Sequence, residues 1–389
     1  MSRFRTLLEA GPGETCACLL DGWAVGESGF TWMVGDRSGL LTTLEQPLAA
    51  DEQLLLELDL NPFTVPDKHE SQRLTISING HPLRPERLHN EGTVAYPVPA
   101  AALNANGSLQ LDLHHPDAAR PGDVGGSTDS RRLAFALHRL RLVAAPRAAA
   151  APVTVLPPLA IPLPRDQLGD AIRAATGLEP AQLAECFVNI GHNCEVGLVQ
   201  RHVGAEPIDL LRFVGIALPD LVHGLTDGFA RAGDALKIWL APSGGGREEY
   251  MVRDTTYNFS RHSFQMEGDI AAGCVHRIEA RNLRFMRDHF QGRMADADRV
   301  FVFQRPGRIT PSQALPILTR LRGFGPNALL YVDQSPDLPC GAVEQLGRGL
   351  FHGKLDQLAP SHDAGQLDLP GWLSILANTH KLWTRSRAA

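Results

Sequence analysis

This sequence lacks several features that mark particular classes of protein. Its six cysteines are scattered over 389 residues, and no C-x-x-C spacing of a zinc site or redox motif occurs. No run of about eighteen apolar residues indicates a membrane span, and residues 1–5 do not open the long apolar core of a signal peptide. We therefore expect reduced thiols, a cytoplasmic location, no membrane span and no bound metal.

Charge and short motifs exclude further classes. The formal net charge of −6 is mild for this length and leaves no basic footprint for nucleic acid. The sequence contains no Gly-x-Ser-x-Gly, no metal-binding His pair and no Walker loop, and the three glycines at residues 244–246 lack the Lys-Ser or Lys-Thr that a phosphate-binding loop requires. No cofactor is expected.

Length and pattern predict a multi-domain protein with two cores. Residues 53–60 and 73–78 alternate apolar and polar side chains, and Asn79-Gly80 is a strong hairpin signal. We therefore predict an all-β sandwich over residues 1–145. Residues 146–165 are rich in Ala and Pro and are predicted to form an extended linker.

Residues 166–389 alternate differently. Apolar runs at residues 186–190, 299–304 and 329–333 predict strands, and helical patterns lie between and after them, including one at residues 342–348. This alternation predicts an α/β domain with a mostly parallel sheet. In a doubly wound sheet of this kind, ligands bind at the carboxyl ends of the strands.

The segment CFVNIGHNCEVGLVQR, residues 186–201, holds the strongest local signal. A short apolar strand runs into the turn formed by residues 191–193, and Asn193 is a good N-cap for the helix that follows. Cys194 then falls at the first helical position, where unpaired N–H groups and the helix dipole stabilise a thiolate. The alternatives are a small buried Cys194 that packs the first turn, or a helix end that holds a phosphate or carboxylate.

The first domain carries a resemblance to a known class. The segments ING at residues 78–80, HPD at 115–117 and GSTDSRRL at 126–133 resemble the jelly-roll-like sandwiches attached to bacterial glycosyltransferases and other glycan enzymes. The resemblance implies a glycan ligand, a glycosyltransferase partner and sugar contacts through exposed aromatics, for which Trp23, Trp32 and Tyr96 are available. The alternative is that these aromatics form the core.

The second domain also resembles a known family. The segments NIGHNCEVG, PIDLL and YNFSRHSF, at residues 189–197, 207–211 and 257–264, resemble uncharacterised bacterial proteins labelled papain-like cysteine peptidases. The resemblance implies that Cys194 is a nucleophile and that His262 is its general base. Against the label, alternating strands and helices do not suit the papain fold.

The remaining parts of such a site are open. Ser263 stands where the family often has an Asp after the histidine, so Asp209 and Asp254 are the candidates for the group that orients His262. Asn193, or the backbone N–H of Cys194, is the candidate for stabilising an oxyanion. In each case the alternative is a structural role, such as a loop cap or a half-buried strand residue.

A basic stripe offers a different ligand. Arg277, Arg281 and Arg284 recur at helical spacing, which is typical of a solvated helix face; with His192 they are also candidates for holding an anionic sugar or nucleotide phosphate. Three functions follow. The first is a cysteine-dependent hydrolase or acyl-type transferase in surface-glycan metabolism. The alternatives are a non-catalytic glycan-binding or glycosyltransferase-accessory protein, and a nucleotide-sugar-dependent transferase.

Overall fold

The computed structural model describes residues 4–11, 17–44, 46–125, 127–147, 153–161, 165–243, 246–360 and 366–388. The chain divides into two compact units. The first comprises Met1–Arg147 together with Thr310–Thr319, and the second comprises Ala148–Ile309 together with Arg320–Ala389. Each unit has sheets and a buried apolar cluster of its own.

Nearly all regular elements in the described part of residues 1–147 are strands. Its elements are β1 (Arg5–Ala10), β2 (Ala17–Leu19), β3 (Thr31–Val34), β4 (Arg37–Thr43), β5 (Glu52–Pro62), β6 (Gln72–Ile78), β7 (His81–Pro82), β8 (Glu86–Leu88), β9 (Gly92–Pro97), β10 (Ser108–His114), the short helix α1 (Pro121–Val124) and β11 (Leu133–Pro146).

Two sheets form a β-sandwich in the first unit. One sheet has the order β1-β11-β5-β9 with β3 also on β11, and the other has the order β2-β4-β10-β6-β7 with β8 also on β6. The central strands β3-β11-β5-β9 and β4-β10-β6-β8 follow the jelly-roll pattern, in which consecutive strands change sheets. Alternate apolar residues of both sheets, such as Leu58, Ile76 and Phe135, share one buried cluster. The predicted sandwich is confirmed.

The predicted Asn-Gly hairpin joins β6 to β7. Asn79 and Gly80 have φ of 49° and 81°, the left-handed pair that a tight hairpin turn requires. The Asn79 amide also donates to the carbonyl oxygens of Ala102 and Ser108, both at 2.8 Å. The turn therefore fixes the neighbouring loop as well as the register of the hairpin.

The rest of the chain contains the remaining elements. They are β12 (Thr154–Leu156), α2 (Arg165–Thr176), α3 (Pro180–Glu185), β13 (Phe187–Asn189), α4 (Glu195–His202), β14 (Val214–Gly215), α5 (Leu218–Asp227), β15 (Leu236–Pro242), β16 (Glu248–Asp254), β17 (Phe259–Met266), α6 (Ala272–Asp296), β18 (Val300–Gln304), α7 (Pro311–Phe324), β19 (Ala328–Asp333), β20 (Val343–Gly347), β21 (Leu350–Lys354) and α8 (Leu369–Ala388).

Among the described strands of the second unit, one sheet contains parallel pairs. Its order is β12-β20-β21-β19-β18-β13, with parallel pairs from β13 through β18 and β19 to β21 and antiparallel pairs at β20 and β12. Its parallel strands follow chain order, so the described strands show no reversal of the doubly wound kind. A separate four-stranded sheet, β14-β17-β16-β15, is antiparallel. Three of the five strand pairs in the six-stranded sheet are therefore parallel, and the separate antiparallel sheet was not expected from the sequence.

Two local predictions in this region were wrong. Residues 343–347 form β20 rather than a helix. The segment pairs with β21, the side chains of Val343 and Gln345 are buried, and this sheet packing overrides local propensity. Residues 153–161, predicted as a free linker, are docked. There β12 pairs with β20, Leu159 N–H donates to Ser374 Oγ at 2.8 Å, and Asn378 Nδ2 donates to Pro157 O at 2.8 Å.

Candidate functional site

The turn after β13 is held by hydrogen bonds of its own polar residues. Asn189 is fully buried, and its Nδ2 donates to the carbonyl oxygens of Leu211 and Arg212 at 3.2 and 3.1 Å. Its Oδ1 accepts the Gly191 N–H at 3.0 Å. A Cβ at Gly191 would come within 2.9 Å of the Gln304 backbone nitrogen, so only glycine fits there. The motif therefore holds β13 against β18.

The Asn193 side chain caps the start of α4, although Asn193 is not the N-cap residue that the sequence predicts. Its Oδ1 accepts the Glu195 N–H at 2.9 Å and also a hydrogen bond from the Gln304 amide. The N-cap residue by backbone geometry is Cys194, so α4 begins one residue later than expected, and the Cys194 side chain makes no capping hydrogen bond. The amide oxygen of Asn193 is thus committed to the fold, and an oxyanion role for this residue stays a prediction.

Cys194 is half-buried, and this burial raises the pKa of its thiol. The prediction of a stabilised thiolate needed the opposite shift, from a cation, an imidazole or the helix end. Partial burial instead disfavours the charged form because it removes water from the sulfur. This direction favours the alternative of a small packing residue.

Alkylation of the thiol tests that direction. We expect the rate at which iodoacetamide labels Cys194 in the folded chain to rise with pH. The pH of half-maximal rate should lie above the free-thiol pKa of about 8.5, because burial opposes ionisation of the thiol. The pH dependence of labelling at Cys194, mapped by peptide mass spectrometry from about pH 6 to 10, gives the midpoint. The control is the same labelling in urea, where the midpoint returns to the free-thiol value. A folded-state midpoint below about 8 would restore the activated-nucleophile hypothesis.

His262 has a carboxylate partner that the sequence did not indicate. It lies on β17, and its Nδ1 is 3.0 Å from Oε2 of Glu249 on β16. Glu249 is 6% exposed, whereas about half of the His262 side chain is exposed. A buried carboxylate on Nδ1 fixes the orientation of the ring. Glu249 was missed because its partner in the β16–β17 register is Met266, and an irregularity in that pairing, which no local pattern reveals, brings its side chain within reach of His262.

The two predicted orienting groups serve other purposes. Asp254 accepts hydrogen bonds from the backbone N–H groups of Gly233, Thr256 and Tyr257, and so builds the turn between β16 and β17. Asp209 is 5% exposed, and neither of its carboxylate oxygens accepts a hydrogen bond from a described residue. Burial raises the pKa of Asp209 to about 6, partly offset by three nearby arginines, Arg293, Arg212 and Arg299. Neither carboxylate orients His262.

No hydrogen bond joins Cys194 to His262, both of which are described. Cys194 follows β13 in the six-stranded sheet, and His262 belongs to the antiparallel sheet. The pKa of the thiol carries no contribution from an imidazole, as it would if the two groups were paired. The cysteine–histidine pair therefore stays a prediction without a supporting contact.

Glu195, next to Cys194, has a structural role that sequence reasoning missed. It is fully buried, its Oε1 accepts the Trp372 indole N–H at 2.9 Å, and its Oε2 accepts the Ala359 N–H at 3.1 Å. Burial raises the pKa of this carboxyl. The partners lie 164 and 177 residues away along the chain, so no local signal could have found them.

The predicted anion ligands do not converge in the described residues. On α6, Arg284 Nε donates to Asp234 Oδ1 at 3.1 Å, Arg277 donates to Cys274 Sγ at 3.1 Å, and Arg281 is exposed. His192 lies in the turn after β13, and its pKa is lowered by desolvation and by the nearby Arg305. Within the described part of the chain, no hydrogen bond or ion pair links this stripe to His192, which agrees with a solvated helix face.

The first unit has a continuous row of partly exposed rings. Phe30 and Trp32 have ring centroids 5.9 Å apart, Trp32 and Phe63 lie 6.2 Å apart, and Phe63 and His69 lie 6.1 Å apart. All four are half-buried and lie outside the apolar core cluster. Trp32 points away from the core because its neighbour Met33 is fully buried and side chains alternate along a strand.

The other predicted sugar-contacting aromatics are structural. Tyr96 is 2% exposed and belongs to the core, and Trp23 packs against the core while its indole N–H donates to Gly39 O at 2.7 Å. Of the three candidates only Trp32 is placed to meet a ligand. Phe30 and Phe63 were missed, since a turn position and a strand end give no periodic signal.

A polar cleft of about 750 Å³ adjoins the His69 end of this row. It is lined by Asp67, Lys68, His69, Glu70, Ser71, Arg87, Asp117 and Ala119. The loop that forms one wall is closed on itself, since the His69 and Lys68 N–H groups both donate to Val65 O, at 2.8 and 3.2 Å. Gln72 Nε2 lies 2.8 Å from His69 Nε2 and donates to Phe63 O at 3.0 Å. The rings and the loop are thus held together by hydrogen bonds.

Comparisons with known proteins give weak likenesses. No protein-family profile matches the sequence, and no curated protein matches it significantly. Similar solved structures include a family 35 carbohydrate-binding module from Clostridium thermocellum (12% identity, 35% of this chain and 98% of that one, TM-score 0.24). They also include the C-terminal family 6 module of a laminarinase from Zobellia galactanivorans (12%, 35% and 97%, TM-score 0.21).

A larger enzyme is also similar in part. It is a family 115 4-O-methyl-α-glucuronidase with specificity for decorated arabinogalactans (12% identity, TM-score 0.23), and the match covers 36% of this chain but only 17% of that one. TM-scores this low do not carry an argument about function. None of these matches supports the resemblance to cysteine peptidases.

Membrane-spanning helices and metal-binding clusters are two other features that define a class of site. No helix among the described residues has the length and apolar character to cross a membrane. Within the same part of the chain, no three His, Cys, Asp or Glu side chains are grouped so that they would hold a metal ion. The candidate surfaces are therefore the aromatic row with its cleft and the surroundings of His262.

Proposed function

We propose that this chain is a glycan-binding protein whose jelly roll contacts a sugar chain through the aromatic row and the polar cleft. The observation that carries the proposal is the continuity of Phe30, Trp32, Phe63 and His69, half-buried outside the core and ending at a cleft of charged and hydrogen-bonding side chains. Sugar rings have apolar C–H faces and a rim of hydroxyl groups, so they need both kinds of surface.

The chemistry of the two surfaces is complementary. Aromatic rings give large contact area at little entropic cost, because only two torsions are fixed on binding. The carboxylates of Asp67 and Glu70 accept hydrogen bonds from hydroxyl groups, and Lys68 and Arg87 donate them. Asp117 is already paired with Arg73, so it supports the wall instead of serving the ligand.

Preorganisation favours this surface as a binding site. The closed 65–69 loop and the Gln72 amide fix His69 and Phe63 before a ligand arrives. These residues then lose little conformational entropy when a ligand binds. An irregular surface of mobile polar side chains would not offer that advantage.

Removal of Trp32 tests the proposal. We expect the full chain to bind members of an array of immobilised plant, fungal and bacterial oligosaccharides, and Trp32→Ala to weaken that binding at least about tenfold, because the row loses its central ring. The strongest oligosaccharide is then titrated by calorimetry. Phe285→Ala is the control, since Phe285 is also an aromatic residue with an exposed ring but lies on α6 in the second unit. Equal affinity of Trp32→Ala and the wild type would refute the site.

The cysteine-dependent alternative has less support. It needs a thiolate at Cys194, whereas burial raises the pKa of that thiol, and it needs an imidazole partner, whereas no hydrogen bond joins the described residues Cys194 and His262. The proposed function is therefore non-catalytic recognition within glycan metabolism.

A further inference from the structure

The second unit contains a strained residue that presents an aromatic ring to solvent. Phe264 on β17 has φ of 58° and is 61% exposed. A bulky side chain at positive φ is a genuine outlier that persists only where the surroundings impose it. In the pairing of β16 with β17, Glu249 lies opposite Met266 and Met251 lies opposite His262. The chain therefore advances two residues on β16 but four residues on β17 between these pairs. The extra residues form a bulge with Phe264 at its tip.

One buried carboxylate holds this bulge in place. Glu249 Oε1 accepts the Phe264 N–H at 2.7 Å, and Glu249 Oε2 lies 3.0 Å from His262 Nδ1. Glu249 is 6% exposed, so both contacts form where water does not compete with them. The carboxylate therefore holds the Phe264 backbone and the His262 side chain in place.

The two rings pack against each other at this bulge. His262 and Phe264 are stacked with centroids 5.8 Å apart and an interplanar angle of 24°. Because Nδ1 of His262 faces Glu249, its Nε2 is the ring nitrogen left for an outside partner. An apolar face beside one hydrogen-bonding nitrogen is a recognition surface for a ring that carries hydroxyl groups.

The charge pattern selects an uncharged ligand. The neighbouring guanidinium of Arg261 is turned toward Glu279, at 3.6 Å, and toward Met286 Sδ, at 3.6 Å. Recognition of a phosphate normally uses charge-assisted bonds from such a group. With Arg261 engaged, stacking on Phe264 and one hydrogen bond to His262 remain, and these suit the C–H face and hydroxyl rim of a pyranose.

We propose that Phe264 and His262 form a second sugar-binding subsite within the second unit, in which a pyranose ring stacks on the exposed ring of Phe264 and a hydroxyl group bonds to His262 Nε2. This subsite rests on the proposed glycan-binding function. The buried carboxylate and the positive φ distinguish it from an ordinary exposed phenylalanine. On α6, Phe285 is 53% exposed, and its ring centroid lies 4.6 Å from that of His289. No described carboxylate hydrogen-bonds to that pair, and its backbone is helical.

The test compares these two Phe–His pairs in the full chain. The oligosaccharide that binds the wild type most strongly on the immobilised array is titrated by calorimetry. We expect Phe264→Ala and Phe264→Gly to weaken binding about tenfold, and Phe285→Ala to leave it unchanged. The glycine variant keeps the left-handed backbone without strain, so the ring is lost while the bulge stays folded.

The outcomes separate the two proposals. Binding that is lost in Trp32→Ala but unchanged in Phe264→Gly overturns this subsite and leaves the jelly-roll site standing. Equal losses in Phe264→Gly and Phe285→Ala also overturn it, because a general apolar surface would then be responsible. A wild type that binds no oligosaccharide on the array overturns the proposed function and the subsite with it.

Discussion

Arg212→Ala is expected to lower the free energy of unfolding of the second unit by about 3–5 kcal/mol. Arg212 is 5% exposed, and its guanidinium donates to the carbonyl oxygens of Gly197 at 3.2 Å, Ala205 at 3.0 Å and Pro207 at 3.2 Å. Its Nε donates to Gln200 Oε1 at 3.1 Å, and its Nη1 pairs with Glu206 at 2.5 Å. Truncation leaves the buried acceptors without partners, and each lost partner is costly in a dry interior.

Arg201 offers a matched control. It also bonds to Glu206, and its guanidinium lies over the same Phe213 ring at 5.0 Å, compared with 4.8 Å for Arg212. About half of the Arg201 side chain is exposed, so Arg201→Ala should change stability by no more than about 1 kcal/mol. Urea unfolding of the full chain, followed by circular dichroism, measures both variants. Similar losses in the two variants would show that the buried hydrogen bonds of Arg212 contribute little.

Asp209→Asn is expected to stabilise the protein at neutral pH. The folded-state pKa of about 6 lies above the ordinary aspartate value of 3.8, so the native state binds the proton more tightly than the unfolded chain. Stability is therefore lost as the pH rises from 3.8 to about 6, and the full penalty is present above that range. The shift corresponds to a gain of at most about 3 kcal/mol at neutral pH.

The pH dependence separates this effect from a change in packing. The stability difference between Asp209→Asn and the wild type should shrink as the pH falls from about 7 to 4, because protonated Asp209 and the amide that replaces it are both neutral. Asp288→Asn is the control, since Asp288 is an exposed partner of Arg287, and it should shift stability by less than about 0.5 kcal/mol. A destabilised Asp209→Asn at neutral pH would mean that the three neighbouring arginines require the charge.

Much of the first unit could be predicted from sequence because its signals are local. Alternating side chains in β5 and β6 must place one set on a common face, and Asn79-Gly80 has few conformations other than a tight turn. Asn193 was identified as the helix cap for the same reason, since its partner is two residues away. The docking of residues 153–161 was not predicted, because Pro and Ala between the apolar residues leave no periodic pattern. Leu156, Leu159 and Ile161 nevertheless pack against the core of the second unit.

The candidate sites depended on contacts between distant residues. Cys194 has the same neighbours in sequence whether its thiol is ionised or packed, and only the folded surroundings raise its pKa. Glu249 reaches His262 and Phe264 across a bulge, and the rings of the aromatic row come into line only when separate strands and a loop pack together. Periodicity tells which residues share a face of one element, because backbone geometry repeats every few residues. Which side chains meet across elements depends on register and packing, and these are settled by the whole core at once.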